Sequence, residues 1–239
     1  RQAAGVHLVL DAAGLAALDV ELGMEGEQIS SANGTGAGPE RPVLARGVVR
    51  FAGEAVALIV AETLMQARDA AELVDLSLDE LPVAMDLTPG GATIHPEAPG
   101  NLAFDYTIGD AQAVAAALAT SAHRIDLTVM HNRIIVAAME PHGAFAEWAD
   151  GRLHLCVNGQ GVWTQKGELA RMLRLDPESV RVTNPDVGGG FGMKAMTYPE
   201  YICIAAAART LGRPVRWISD RSEAMLTDNA GRDLVAHAQ

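Results

Sequence analysis

A cluster of glycines is the part of this sequence that most clearly suggests chemistry. Residues 186–194 read Asp-Val-Gly-Gly-Gly-Phe-Gly-Met-Lys, between a predicted strand that ends near Thr183 and a predicted helix that starts near Tyr198. Glycines reach φ > 0 and lack Cβ atoms, so successive backbone N–H groups can converge on an anionic or electron-rich ligand. The loop therefore predicts a cradle for a cofactor, although a lone glycine cluster more often makes a tight turn or a bulge.

Two familiar phosphate-binding patterns do not fit this loop. The dinucleotide pattern needs a third glycine where Met193 stands, and the Walker pattern needs a glycine followed directly by Lys and then Ser or Thr. A nucleotide-binding α/β enzyme, which would lose saturable nucleotide binding on substitution of Gly190, is therefore the weakest alternative. Lys194 suggests a phosphate partner by charge, but a single lysine near a loop is typically a solvated surface group. We leave it outside the predicted site.

Composition excludes several classes of function. The chain has 239 residues with 30 acidic against 18 basic side chains, and this formal charge of −12 repels nucleic acid and anionic lipid. No stretch approaches the roughly 18 consecutive apolar residues of a membrane span, and we expect a soluble, cytoplasmic protein. Cys156 and Cys203 form no Cys-x-x-Cys pair, and the histidines show no zinc spacing. We expect neither an iron–sulfur cluster nor a metal ligated by side chains on this segment.

The first part of the chain is predicted as a strand, helix and strand unit. The spacing of apolar residues predicts strands over 47–51 and 55–60, a helix over 62–73 and a strand over 74–79. Residues 30–42, rich in Gly, Ser, Asn and Pro, are expected to form a surface loop. Prolines and glycines between 82 and 101 break both helix and sheet, so we place the domain boundary there.

The second part is predicted to be mixed α/β. Its predicted elements are a helix over 111–119 capped by Asp110, strands over 124–130 and 152–157, a helix over 164–173, a helical turn at 176–178, a strand over 180–183, a helix over 198–209 ended by Gly212, and a strand over 215–218. Neither end carries a start or stop pattern, and we expect further sequence on both sides.

Three successive segments resemble the cofactor-binding part of a known enzyme family. They are residues 140–144 (Glu-Pro-His-Gly-Ala), 158–161 (Asn-Gly-Gln-Gly) and 188–192 (Gly-Gly-Gly-Phe-Gly). Their order and separation are similar to those in the molybdopterin-binding large subunits of xanthine dehydrogenase, aldehyde oxidase and aerobic carbon monoxide dehydrogenase. Residues 51–57 and the helix after them resemble the α/β-hammerhead domain that precedes the cofactor domain in this family.

The resemblance implies an α/β (α+β) fold in which two partial domains follow one another. Residues 1–85 would be the later part of the hammerhead domain, and residues 86–104 a linker. Residues 105–239 would be the N-terminal part of the molybdenum-cofactor-binding domain.

The resemblance also implies a set of site residues. Gln160 matches the family glutamine whose side-chain amide faces the oxo group on molybdenum, a role that needs a neutral donor, and it is the predicted catalytic residue. Phe191 and Gly192 match the dipeptide whose backbone amides approach the molybdenum centre and its dithiolene. Gly189 and Gly190 would give the cofactor clearance. These five residues are the predicted cofactor-binding set.

Other matches limit the reaction. Glu140 matches a structural residue below the cofactor, and the family's catalytic glutamate belongs to a segment beyond Gln239. Xanthine-type enzymes carry a purine-contacting glutamate where this chain has Ala195, which counts against xanthine as substrate. Carbon monoxide oxidation would need a copper-binding cysteine, which neither Cys156 nor Cys203 matches.

By resemblance, the parent enzyme is an oxidoreductase that hydroxylates an aldehyde or an aromatic N-heterocycle with oxygen from water. It would carry molybdenum–molybdopterin, with the cytosine dinucleotide form as one option, and pass electrons to iron–sulfur and FAD partners in a dimer of heteromers. Two alternatives stay open. One is carbon monoxide oxidation by the parent enzyme; the other is a non-enzymatic assembly fragment that binds partner subunits and holds no molybdenum.

Overall fold

The computed structural model describes residues 3–26, 28–31 and 33–239 of the chain. These residues divide into two compact units, which are described separately. Unit 1 takes its residues from 1–24, 41–79 and 136–229, and unit 2 takes its residues from 25–40, 80–135 and 230–239. The domain division at 86–104 stays a prediction.

The described chain combines short strands with short and medium-length helices. The strands are β1 (Val6–Leu10), β2 (Gly23–Met24), β3 (Ser30–Ser31), β4 (Gly34–Thr35), β5 (Arg41–Pro42), β6 (Leu58–Ala61), β7 (Leu127–His131), β8 (Gly143–Ala149), β9 (Arg152–Val157), β10 (Val180–Thr183), β11 (Val215–Ile218) and β12 (Leu234–Ala238). The α-helices are α1 (Ala12–Ala17), α2 (Leu64–Ala71), α3 (Ala111–Thr120), α4 (Trp163–Met172), α5 (Pro199–Leu211) and α6 (Arg221–Thr227). This mixture in small sheets confirms the predicted α/β class.

Unit 1 is built on a four-stranded mixed sheet with the order β10-β9-β8-β11. β9 and β10 are parallel, whereas β8 is antiparallel to both β9 and β11. The alternation along β9 buries Leu153, Leu155 and Val157 on one face. Burying such side chains contributes about 1.5–3 kcal/mol each, so this face anchors the core of the unit.

Helix α5 is buried on all sides within unit 1. Its residues from Tyr201 to Ala208 are at most 2% exposed, and the helix packs on β8, β9 and β11. A helix that is apolar all round belongs in a core, and the run Ala205–Ala208 lets its backbone lie close to its neighbours. Pro199 occupies the first turn, and Gly212 ends the helix at φ 58°.

Unit 2 contains the antiparallel pairs β7–β12 and β3–β4 and the helix α3. Asp110 caps α3 by accepting hydrogen bonds from the backbone N–H groups of Gln112 and Ala113, each at 3.0 Å. Among the described ranges of the chain, no helix is long and apolar enough to cross a membrane.

The structure confirms most predicted elements of the second half and corrects several in the first. The strands predicted over 152–157, 180–183 and 215–218 match β9, β10 and β11. The predicted loop at 30–42 contains the β3–β4 hairpin and β5, although Ala32 lies outside the described residues. The strand predicted over 47–51 is wrong, because Gly47 at φ 75° leaves only an isolated bridge between Arg46 and Val48.

The strand predicted over 74–79 is also wrong. Its described backbone is irregular, and Leu76 and Leu78 are 51% and 60% exposed. A strand is stable only when its backbone groups pair with a neighbour, and this segment pairs with no described strand. The helix before it is confirmed as α2, with Thr63 and Gln66 forming a capping box.

Candidate cofactor site

Three segments that are far apart in sequence meet at one edge of the unit 1 sheet. Ala144 at the start of β8 pairs with Val157 at the end of β9, and Cys156 of β9 pairs with Thr183 at the end of β10. The segment before β8 and the segments after β9 and β10 therefore leave the sheet at the same edge. These are the Glu140, Gln160 and glycine-loop segments of the sequence analysis.

Asparagine side chains tie these segments together. Asn158 Oδ1 accepts a hydrogen bond from the Gly143 N–H at 3.0 Å, and Asn158 Nδ2 donates to the Pro141 carbonyl at 2.7 Å. Asn184 Nδ2 donates to the Gly159 carbonyl. Because an amide side chain both donates and accepts, an asparagine can bond to backbone groups that make no hydrogen bond within the β-sheet.

Gln160 makes one hydrogen bond with the glycine loop and one with the segment that follows it. Its backbone N–H donates to the Lys194 carbonyl at 2.9 Å, and its side-chain Oε1 accepts from the Gly192 N–H at 2.8 Å. This second bond fixes which way the amide faces, because only the oxygen can accept. The Nε2 group, exposed at the edge, donates to no described residue and stays available to an acceptor.

The close approach of Gln160 and Glu140 to the loop requires glycines. A Cβ atom on Gly190 would lie closer than 3.0 Å to the Gln160 side chain, and a Cβ atom on Gly188 would lie 2.5 Å from Glu140 Cβ. Real side chains essentially never pack at such distances. The glycines therefore make room for the two side chains that flank the loop.

The loop backbone presents a row of N–H groups. Gly189, Phe191 and Gly192 have φ values of 98°, 52° and 88°, whereas Gly190 lies outside the left-handed region. Within the described residues, the N–H groups of Gly189, Gly190 and Phe191 find no protein acceptor. Such an alternation forms a concave nest that suits an electron-rich ligand. Phe191 is a non-glycine in the left-handed region, and its side chain is 76% exposed.

An ion pair between a buried lysine and a partly exposed glutamate lies beneath the loop. Lys194 has a fully buried side chain, and its Nζ lies 3.0 Å from Glu140 Oε2, which also accepts the Gly188 N–H at 2.6 Å. Burial raises the pKa of Glu140, but the Gly188 N–H and the Lys194 ammonium together lower it below its ordinary value. The interpretation of Lys194 as a solvated surface group is therefore wrong, because the lysine points inward to a carboxylate.

A second buried polar cluster supports the same edge. His142 is fully buried, its Nδ1 lies 2.6 Å from Asp228 Oδ1, and its ring centroid lies 4.1 Å from that of Tyr198. The Tyr198 hydroxyl donates to the Met193 carbonyl at 2.9 Å and accepts the Asn229 N–H at 3.2 Å. Burial lowers the pKa of His142 and raises the pKa of Tyr198 to about 12. Both groups are thus neutral supports of the segment that follows the loop.

Comparison with known proteins identifies the family. A molybdopterin cofactor-binding domain matches residues 94–239, and the a/b hammerhead domain of aldehyde oxidase and xanthine dehydrogenase matches residues 2–82. The chain belongs to the aldehyde oxidase and xanthine dehydrogenase family of molybdopterin-binding proteins. The resemblance stated from the three sequence segments is confirmed.

Several members of the family are similar over nearly the whole chain. The large subunit of nicotine 6-hydroxylase from Paenarthrobacter nicotinovorans is 36% identical over 93% of this chain and 27% of its own length. The crystal structure of quinoline 2-oxidoreductase from Pseudomonas putida 86 gives a TM-score of 0.76 at 32% identity, covering 96% of this chain and 29% of that one. Reconstituted carbon monoxide dehydrogenase from Oligotropha carboxidovorans gives 0.81 at 27% identity, covering 96% and 30%. The chain thus spans between about a fifth and little more than a quarter of the length of the curated relatives it matches.

The residues at the sheet edge fit a molybdopterin cofactor. The three unpaired loop N–H groups and Gln160 Nε2 are all hydrogen-bond donors, and such donors suit the electron-rich atoms of a dithiolene and a phosphate. In the described part of the chain, no three His, Cys, Asp or Glu side chains come together as a metal site. Backbone and amide N–H donors are therefore the groups that this edge of the described chain presents to such a cofactor.

Sequence reasoning brought Gln160 and the glycine loop together but missed their support. Asp228 carried no pattern of its own, and its partner His142 lies 86 residues earlier. Lys194 was visible next to the loop, and the Glu140 carboxylate was the only clue that its charge could be satisfied inside the protein.

Proposed function

We propose that this chain is the molybdenum-cofactor-binding portion of a molybdenum hydroxylase, and that Gln160 and the loop residues Gly189, Gly190, Phe191 and Gly192 contact the cofactor. The observation that carries the proposal is the orientation of Gln160. The Gly192 N–H engages Oε1, so the free donor Nε2 stands beside the loop with its three unpaired N–H groups. The bound cofactor would supply the two-electron oxidation chemistry.

The residues of this chain would position the cofactor and stabilise charge that develops on it. Gln160 Nε2 would donate to an electron-rich atom of the cofactor, and an oriented neutral donor is most effective where charge develops during reaction. The N–H groups of Gly189, Gly190 and Phe191 would hold the cofactor from the loop side. In this conformation the Gly192 N–H also orients the Gln160 side chain.

An aromatic N-heterocycle is the substrate class that we favour for the parent enzyme, with an aldehyde as the second option. Two relatives that are more than 30% identical are named for nicotine and for quinoline, which both contain such a ring. Carbon monoxide oxidation is a further candidate, because carbon monoxide dehydrogenase gives a TM-score of 0.81. Neither Cys156 nor Cys203 matches, by resemblance, the copper-binding cysteine that carbon monoxide oxidation would need.

The parent protein would act in a complex of several subunits. Names such as "large subunit" and "large chain" support a complex with smaller partners, and we propose iron–sulfur and FAD partners in a cytoplasmic dimer of heteromers. The cytosine dinucleotide form of the cofactor is part of the same proposal. The two family matches, 2–82 and 94–239, support the division into 1–85, 86–104 and 105–239.

Metal content is the decisive measurement for the proposal. The full-length subunit, purified with its partners from a cofactor-replete host, should contain near-stoichiometric molybdenum by elemental analysis and a pterin that fluoresces after oxidation. Absence of both would favour the non-enzymatic assembly fragment and end the enzymatic proposal.

Substituting Gln160 tests its assigned role. Gln160→Ala in the full-length enzyme should slow turnover by about 10- to 100-fold, the effect of one hydrogen bond to a charged group, and retain most of the molybdenum. Gln160→Glu keeps an acceptor for the Gly192 N–H but loses the donor, so it should be at least as slow. Gln112→Ala, on the exposed α3, is the matched control. Wild-type rates in both Gln160 variants would rule out the role.

A further inference from the structure

We propose that Glu140 and the buried Lys194 form a latch that ties the start of the glycine loop (residues 188–192) to the segment just after it and holds the loop ready for the cofactor. The inference rests on the proposed function and extends it, because both residues act through the loop. They are positioning residues, and neither would touch the reacting atoms.

The geometry of one carboxylate oxygen carries the inference. Glu140 Oε2 accepts the Gly188 N–H at 2.6 Å and lies 3.0 Å from Lys194 Nζ. Gly188 begins the loop, and Lys194 lies two residues after Gly192, which ends it. A single atom therefore binds the first residue of the loop and a residue just after its end. The Glu140 N–H also donates to the Gly188 carbonyl at 3.3 Å, which holds the two backbones side by side.

Burial of the lysine makes the latch a strong constraint. The Lys194 side chain is fully buried, and a buried ammonium without a counter-charge is costly enough that the structure must keep Glu140 beside it. The Glu140 side chain is 39% exposed, so the carboxylate approaches from the loop side and does not need to be buried with the lysine. In this conformation the Lys194 Nζ points to Glu140 and is not presented to a phosphate at the surface of the loop.

The latch also sets the position of Gln160. The Lys194 carbonyl accepts the Gln160 N–H at 2.9 Å, and Gly192 donates to Gln160 Oε1 at 2.8 Å. A lysine that moved out of its buried position would carry its own backbone with it. The donor on Gln160 and the row of loop N–H groups would then lose their spacing, although no contacting residue had changed.

Three variants of the full-length subunit separate charge pairing from packing. Glu140→Gln keeps an acceptor for Gly188 but leaves the buried ammonium unpaired. Lys194→Met removes the charge and fills similar volume, and the double variant removes both charges. Lys166→Met is the matched control, because Lys166 is the other lysine of the chain and lies on α4 near Trp163 and Glu178.

Hydrogen exchange of the cofactor-free subunit is the first readout. Gly188, Met193 and Ala195 are the reporters, because their N–H groups bond to Glu140, Gly190 and Gly192. Both single variants should speed exchange at these amides at least tenfold and leave helix α5 unchanged. The double variant should be less affected than Glu140→Gln, because no buried charge is unpaired. Wild-type exchange in Lys194→Met and Glu140→Gln, or equal acceleration throughout α5, would overturn the latch.

Molybdenum retained after gel filtration of the holoenzyme is the second readout. Both single variants should retain less than the Lys166→Met control, and full retention in both would refute the link from latch to cofactor. If Glu140→Gln does not fold, the double variant carries the same test. A wild-type subunit without molybdenum whose loop exchange still responds to these variants would refute the proposed function and leave the latch intact.

Discussion

The substitution Gly190→Ala tests the site geometry most directly. The backbone of Gly190 lies outside the left-handed region, so alanine is compatible with it and any effect comes from the added methyl group. That methyl group would lie closer than 3.0 Å to three atoms of the Gln160 side chain, Cγ, Cδ and Oε1. We expect Gln160 to be displaced from the loop.

The magnitude follows from the contacts that are lost. To reach ordinary contact distance the Gln160 side chain must move by on the order of 1 Å. The hydrogen bond from Gly192 is then broken, at a cost of about 1 kcal/mol. Misplacement of a positioned group by about 1 Å can cost roughly 100-fold in rate, or about 2.7 kcal/mol in activation free energy. We therefore expect turnover to fall about 100-fold in the full-length enzyme, with the molybdenum largely retained.

The assay is steady-state turnover of the best substrate from a screen, normalised to molybdenum content. Gly167→Ala is the control, since a methyl group there meets open space on α4 and should leave turnover unchanged. The double variant Gly190→Ala with Gln160→Ala gives the sharpest test, because Gln160→Ala removes all three clashing atoms. The double should be no slower than Gln160→Ala alone. If the two losses multiply, the steric reasoning is refuted.

Two further predictions concern buried groups of unit 1. Cys203 is 2% exposed and burial raises the pKa of its thiol, so iodoacetamide at pH 8 should label it only after unfolding; mass spectrometry that finds it alkylated in the native holoenzyme would contradict this. Burial lowers the pKa of His142 against the opposing Asp228 carboxylate, with Lys194 and Arg41 adding repulsion. The unfolded state therefore takes up the proton first, and stability should be full above about pH 6.5 and fall below it. Hydrogen exchange of the α5 amides, corrected for the intrinsic exchange rate, should show this loss of stability at low pH in the wild type but not in His142→Gln. An equal pH dependence in the two proteins would contradict the prediction.

Local pattern predicted the elements whose burial pattern or end residues are marked within the segment itself. The alternation of Leu153, Leu155 and Val157 is the pattern of a half-buried strand, and β9 has the bounds that it predicts. Helix α5 was bounded by Tyr198 and Gly212, which the structure confirms as its caps. The same alternation over 74–79 gave a wrong strand, since pairing depends on a neighbour that the segment itself does not encode.

Part of the candidate site was also predictable from the sequence, and part was not. The resemblance named Gln160 and the loop, and the sheet topology explains why they meet. The burial of Lys194 was not predictable from composition, because lysine is among the residues least often buried and its partner Glu140 lies 54 residues away. The orientation of the Gln160 amide also needed coordinates, since it depends on one hydrogen bond from Gly192.

The parallel pairing of β9 and β10 has a consequence for how this site tolerates change in chain length. Gln160 follows the end of β9 at Val157, and Gly188 follows the end of β10 at Thr183. The two short segments after the strands, residues 158–160 and 184–188, are called the stubs. The chain returns from β9 to β10 through α4, but the pairing of the two strands sets the distance between the stubs. The length of the α4 connection therefore does not change that distance. An inserted residue in either stub would displace a donor by about 3.3 Å, whereas the same insertion in the turn after α4 would leave the donors where they are. Insertions and deletions should therefore accumulate in the connection and be excluded from the stubs.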